Sequence, residues 1–103
     1  VTVPVRFEDE AEVEYREAGR WYEDRRTGLG VEFFDAVDVA VRQVLDFPHI
    51  GTLVPRVSRD LPIRRLALAR FPYHLIYIEP TVELRILAVA HNRRKPGYWT
   101  SRS

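Results

Sequence analysis

The chain has 103 residues, of which 46% are hydrophobic and 30% charged, and a net charge of +1. That balance fits one globular domain spanning residues 1–103 and argues against a disordered chain or a bulk-basic nucleic-acid binder. Cysteine is absent, which excludes disulfides, thiolate nucleophiles and cysteine-ligated metal sites and fits a cytoplasmic protein.

Val3-Pro4-Val5-Arg6-Phe7 reads as a short first strand, with Pro4 suited to an edge because it cannot donate a ladder hydrogen bond. The segment Val1 to Arg6 lacks the pattern of a secretory signal, and no apolar run approaches the ~18 residues of a membrane span. Asp9 is the expected N-cap of a helix, with Glu12 three residues on as in a capping box. Ala11, Tyr15, Ala18 and Tyr22 then recur at helical spacing until Gly28-Leu29-Gly30 turns the chain. Phe33, Phe34, Val37, Val41, Val44 and Leu45 make a second helical stripe that Phe47-Pro48 ends. Two antiparallel helices follow from the short connection. A Pro- and Gly-punctuated stretch from Pro48 to Pro62 predicts a loop.

Three strands are predicted next, over Ile63 to Phe71, Tyr73 to Glu79 and Glu83 to His91, with connections too short for anything but antiparallel pairing. The order β-α-α-β-β-β is that of an α+β domain, an N-terminal αα-hairpin packed on a small, mostly antiparallel sheet. Strict alternation would aim Leu84, Ile86, Ala88 and Ala90 at the helices, and Arg85, Leu87, Val89 and His91 at an open face. Both faces of the Tyr73 to Glu79 strand are largely apolar, so it should be central.

Charge is unevenly spread: acids crowd the first helix, whereas arginines accumulate after Pro55, at 56, 59, 64, 65, 70, 85, 93, 94 and 102. The last strand runs into His91-Asn92-Arg93-Arg94-Lys95-Pro96-Gly97-Tyr98-Trp99. Cations that neutralise phosphates, rings that stack on bases and an imidazole that titrates near neutrality are the groups that nucleic-acid recognition uses. A solvated strand end with Trp99 covering the core accounts for the same residues. Of the three histidines, His49 sits in the loop and no two have metal-ligand spacing, so neither a metal site nor a cofactor is expected.

Several of these segments, at these spacings, resemble the RelE/ParE superfamily of bacterial toxins. They are Trp21-Tyr22-Glu23, Gly28-Leu29-Gly30 followed by Phe33-Phe34, Phe71-Pro72-Tyr73-His74-Leu75-Ile76-Tyr77, and Ala88-Val89-Ala90-His91 running into Arg93, Arg94 and Pro96-Gly97-Tyr98-Trp99. The likeness runs from about Phe7 to Trp99. It implies a cytoplasmic, growth-inhibiting toxin of a type II toxin–antitoxin module, neutralised by a cognate antitoxin that wraps around it. Two targets are open: DNA gyrase for the ParE-like branch, and ribosome-bound mRNA, cleaved without a metal, for the other.

For a nuclease, the resemblance makes His91, Arg93 and Tyr98 the catalytic candidates, with His74 in the place of a family arginine. Arg64, Arg65, Arg85, Arg93, Arg94, Lys95 and Trp99 are candidates for binding the target or a nucleic acid, and the arginines among them for meeting an acidic antitoxin. The second strand reads Ile63-Arg64-Arg65-Leu66 where the nucleases carry lysines. An arginine stays protonated and cannot replace a lysine as base, which favours the gyrase-directed branch, with the mRNA endoribonuclease and a non-toxic binding module as alternatives.

Overall fold

The structure is a computed structural model that describes residues 3–55 and 61–102. In chain order the elements are β1 (Val5–Phe7), α1 (Asp9–Arg25), α2 (Leu29–Asp46), β2 (Thr52–Leu53), β3 (Ile63–Ala67), β4 (Tyr73–Ile78), β5 (Leu84–His91) and a 3-10 turn at Thr100–Arg102. The strands form one mixed sheet in the order β1-β5-β4-β3-β2, so β4 is central, as its two apolar faces required. β1 alone runs parallel to its neighbour, a pairing that needs the long crossover supplied by the elements between β1 and β5.

Local chemistry differs from the expectations at three places. Asp9 is the first helical residue rather than the N-cap; Glu8 occupies the cap and makes no side-chain cap bond, because its carboxylate is held by Arg85 at 2.6 Å. β3 stops at Ala67, four residues before Phe71, where Arg70 takes a φ of 71° in the turn. The described residues of the Pro48 to Pro62 stretch form a loop apart from β2, whose two residues pair with Arg64 and Arg65. Arg56 and Arg59 lie outside the described residues.

The hairpin packs tightly because two glycines permit it. A Cβ on Gly19 would stand 2.2 Å from the Phe34 ring, and one on Gly30 would stand 2.6 Å from the Gly19 carbonyl oxygen. Glu23 of α1 closes the joint by accepting the backbone N–H groups of Gly28 (2.9 Å) and Gly30 (3.0 Å) at the start of α2. Those are donors that a helix N-terminus otherwise leaves without partners.

Two apolar clusters result. The helix side gathers Ala11, Ala18, Phe33, Val37, Val41 and Val44 with Leu75, Tyr77, Leu84, Ile86 and Val89 from the sheet. The other face gathers Ile63, Ile76, Ile78, Leu87, Ala88 and Ala90 beneath Trp99, which is 3% exposed. That second face is therefore roofed by the C-terminal tail.

Candidate functional site

One irregularity decides where the C-terminal residues point. Tyr77 pairs with Ile86 and Ile76 with Ala88, so Leu87 is an extra residue and β5 carries a bulge there. An inserted residue reverses the alternation beyond it. Leu84 and Ile86 face the helices as expected, but Ala88 and Ala90 join the tail-side cluster while Val89 joins the helix-side core. His91 moves with Val89. It pairs with Tyr73, a residue packed against the helix-side core, and the two rings meet edge to face at 5.0 Å. The expected position of His91 on an open face is thus corrected.

Beyond Ile86 the outer edge of β5 has no strand neighbour, because β1 ends opposite that residue. Side chains fill the gap. The Val89 N–H donates to Glu14 of α1 at 3.0 Å, and Arg102 donates to the Leu87 carbonyl at 3.0 Å. Glu14 and Arg102 then pair with each other through both carboxylate oxygens, at 2.9 and 3.1 Å. Tyr98 completes the plug by donating its hydroxyl to Glu14 at 2.6 Å. Burial, and then the Glu14 carboxylate, push the Tyr98 phenol well above its ordinary value of 10.0. A phenol held in that way is a poor base.

The arrangement fixes the basic tail in space. Arg94 lies over the Tyr98 ring, 3.8 Å from its centroid, and the N–H groups of Arg94 and Tyr98 close turns onto His91 and Lys95. The N–H of Arg93 donates to His91 Nδ1 at 3.0 Å, so in the neutral ring the proton resides on Nε2. Gly97 takes a φ of 81°, a left-handed turn that sends Trp99 back over the sheet.

On the helix side of this tail a groove of about 560 Å³ runs between α1 and the ends of β4 and β5, and His91, Arg94 and Tyr98 line it together with Trp21, Tyr22 and Tyr73. Glu14 and Glu17 line the same groove, and two carboxylates there oppose a phosphate. On the opposite side a smaller cavity of about 110 Å³ is lined by Arg65, His74, His91, Asn92, Arg94 and Lys95 over an apolar floor that includes Ile76 and Trp99. His74 pairs with Ala90 and so shares the tail-side face, whereas His91, at the strand end, borders both the groove and this cavity. Its Nδ1 donates to Asn92 Oδ1 at 2.7 Å. Burial holds the His74 imidazolium below its ordinary 6.5; the Asn92 hydrogen bond acts against that shift and the Arg65 charge with it.

The candidate arginines do not form one free face. Arg64 is 13% exposed along its side chain and bonds Glu79 at 2.8 Å, while also donating to the Gly51 carbonyl at 2.7 Å. Arg85 bonds Glu8 on the far end of β5. Both hold the fold together. The exposed cations without a carboxylate partner among the described residues include Arg65, Arg93, Arg94 and Lys95, three of which border the small cavity. His49 is exposed and meets Glu79 at 2.9 Å. Among the described residues no group of acids and histidines is placed to hold a metal ion.

Glu14 and Asn92 were given no site role by the sequence, and Glu23 entered only within the Trp21-Tyr22-Glu23 segment. Nothing distinguishes Glu14 from the neighbouring acids of α1 except that it adjoins the apolar stripe at Tyr15. Its partners lie 75 to 88 residues away, beyond the reach of any local pattern.

The family model for the ParE toxin of the type II toxin–antitoxin system parDE matches residues 5–96. The chain belongs to the ParE toxin family. The match spans the hairpin, every strand and the basic turn, and sets this toxin-family chain within the superfamily its motifs resemble. Among solved structures, the chromosomal ParDE toxin–antitoxin system from P. aeruginosa is similar in fold, with a TM-score of 0.69 at 14% identity, covering 87% of this chain and 96% of the other. No curated protein matches the sequence. No helix among the described residues is long and apolar enough to cross a membrane.

Proposed function

We propose that this ParE-family chain inhibits DNA gyrase in the cytoplasm and is kept silent by a cognate antitoxin. The observation that carries the choice between gyrase and mRNA is the commitment of the acid–base groups to structural partners. His74 and His91 both border the small cavity, but His74 is tied to Asn92 and His91 to the Arg93 N–H, and the Tyr98 hydroxyl is committed to Glu14. General acid–base catalysis needs two such groups within hydrogen-bond reach of one phosphate, with pKa values near the working pH. Here the phenol is driven away from that range. A rigid, basic tail fixed to a sheet suits binding and obstruction better than proton transfer.

The helix-side groove supports the antitoxin part of the reading. Its aromatic walls and open mouth suit an amphipathic segment, and Trp21, 51% exposed at its rim, offers apolar area that a partner would cover. The antitoxin's acids would not be drawn to Arg64 or Arg85, whose charges are already neutralised.

Purified gyrase provides the test. Supercoiling of relaxed plasmid should be inhibited by the free toxin and restored by its antitoxin, and induced cells should filament with intact transcripts. Transcripts cut at codon positions within minutes, with cutting abolished by His91→Ala, would instead establish the endoribonuclease. Unaffected growth and unaffected supercoiling would leave a binding module without toxicity.

A further inference from the structure

We propose that the small tail-side cavity bounded by Arg65, His74, Asn92 and Lys95 is a phosphodiester site, through which the toxin grips the backbone of a nucleic acid. The inference does not depend on gyrase being the target.

Three features of the cavity lead to this ligand. First, charge is sorted. Most arginines of the described chain are tied to carboxylates, as in the pairs Arg6–Glu83, Arg16–Glu12, Arg26–Glu32, Arg42–Asp38 and Arg85–Glu8. Arg65 and Lys95 have no such partner among the described residues, and no described carboxylate lines the cavity they border. Cations left uncompensated around one concavity attract an anion, and the apolar floor of Ile76 and Trp99 lowers the local dielectric and strengthens that attraction.

Second, the donors suit a tetrahedral group. Asn92 spends its carbonyl oxygen on His74, which leaves its NH₂ as a donor. The Arg65 guanidinium rises from β3, Asn92 and Lys95 come from the turn after β5, and His74 comes from β4 between them. Donors from separate elements can meet different oxygens of one phosphate, whereas a planar carboxylate offers two.

Third, the size is right. About 110 Å³ is room for one oxyanion. A phosphate held there is contacted through the backbone, which carries no sequence information.

Fluorescence anisotropy of the full chain with a labelled 20-base-pair DNA duplex, and separately with a single-stranded RNA 20-mer, tests the site. Wild type should bind at least one of them with a log–log salt slope of about −2 to −3, the value for two or three neutralised phosphates. Arg65→Gln combined with Lys95→Gln should weaken binding about tenfold at low salt and flatten the slope by about 1, the share of one phosphate. Arg42→Gln, on the far helix, should leave binding as it was. Preference for duplex or RNA identifies which backbone the site serves. Failure of both probes to bind in 50 mM salt, unchanged binding by the double variant, or binding only of a polyglutamate peptide would overturn the proposal. Inhibition of supercoiling by wild type is read separately, so loss of this site and loss of the gyrase reading are distinguishable.

Discussion

Removing the Glu14 carboxylate tests how the tail is held. Four hydrogen bonds converge on it, from Val89 N–H, Tyr98 O–H and both terminal nitrogens of Arg102, and the Glu14 and Arg102 side chains are only 15% and 12% exposed. Breaking a fully buried ion pair costs about 3–5 kcal/mol. The residual exposure lets water reach Arg102, so Glu14→Gln, which keeps one acceptor oxygen, should cost about 2 kcal/mol. Glu14→Ala also leaves the Val89 N–H and the Tyr98 hydroxyl unpaired, at about 1 kcal/mol or more each, for a total of about 3–4 kcal/mol.

Urea unfolding followed by tryptophan fluorescence reads these losses, because Trp99 reports the docked tail and Trp21 the hairpin. A double-mutant cycle with Arg102→Gln should return a coupling of about 1.5 kcal/mol. Loss of less than about 0.5 kcal/mol in Glu14→Ala, within the range of ordinary surface substitutions, would refute the idea that this carboxylate stands in for a missing strand.

Other perturbations address the hairpin, the loop and the titrating groups. Gly19→Ala places a Cβ against the Phe34 ring, and we expect a net loss of about 1–2 kcal/mol despite the better helix propensity of alanine, measurable by thermal unfolding. Tyr77→Phe removes a hydroxyl that donates to the Pro48 carbonyl at 2.9 Å and accepts the Gly51 N–H at 3.0 Å; the loss should be about 1–3 kcal/mol, with faster amide exchange at Gly51. Arg64, and secondarily His49, hold the Glu79 carboxyl below its ordinary 4.5. Its folded-state pKa is depressed, so its contribution is present above that value and is lost as the pH falls through the lower folded-state pKa; Glu79→Gln should flatten the acid limb of the stability curve. His74 is held below 6.5 by burial, so its contribution runs the other way from a paired histidine: stability should fall as the pH drops below that value. NMR titration of the ring should give a midpoint under 6.5, and His74→Gln should remove the dependence.

The helical stripes of α1 and α2, the stop at Pro48 and the three β-rich runs at the end were legible because each is a local pattern, set by a 3.6- or 2-residue period and by turn-forming residues. Even the family could be read there, since its motifs are short and lie in order along the chain. The faces of β5 could not. Alternation placed Leu84, Ile86 and Leu87 correctly and failed from Ala88 onward, because a bulge is a mismatch in residue number between two strands and belongs to the pair rather than to either strand. The split of the arginines was equally hidden. Arg64 and Arg65 are neighbours in sequence, yet one is bound to Glu79 and the other is open beside His74, because adjacent residues on a strand point to opposite faces and only the fold decides which face holds an acid. Composition and periodicity determined the elements of this protein. The pairing of distant strands, and the carboxylates that pairing brought within reach of the arginines, determined which cations were left free to act.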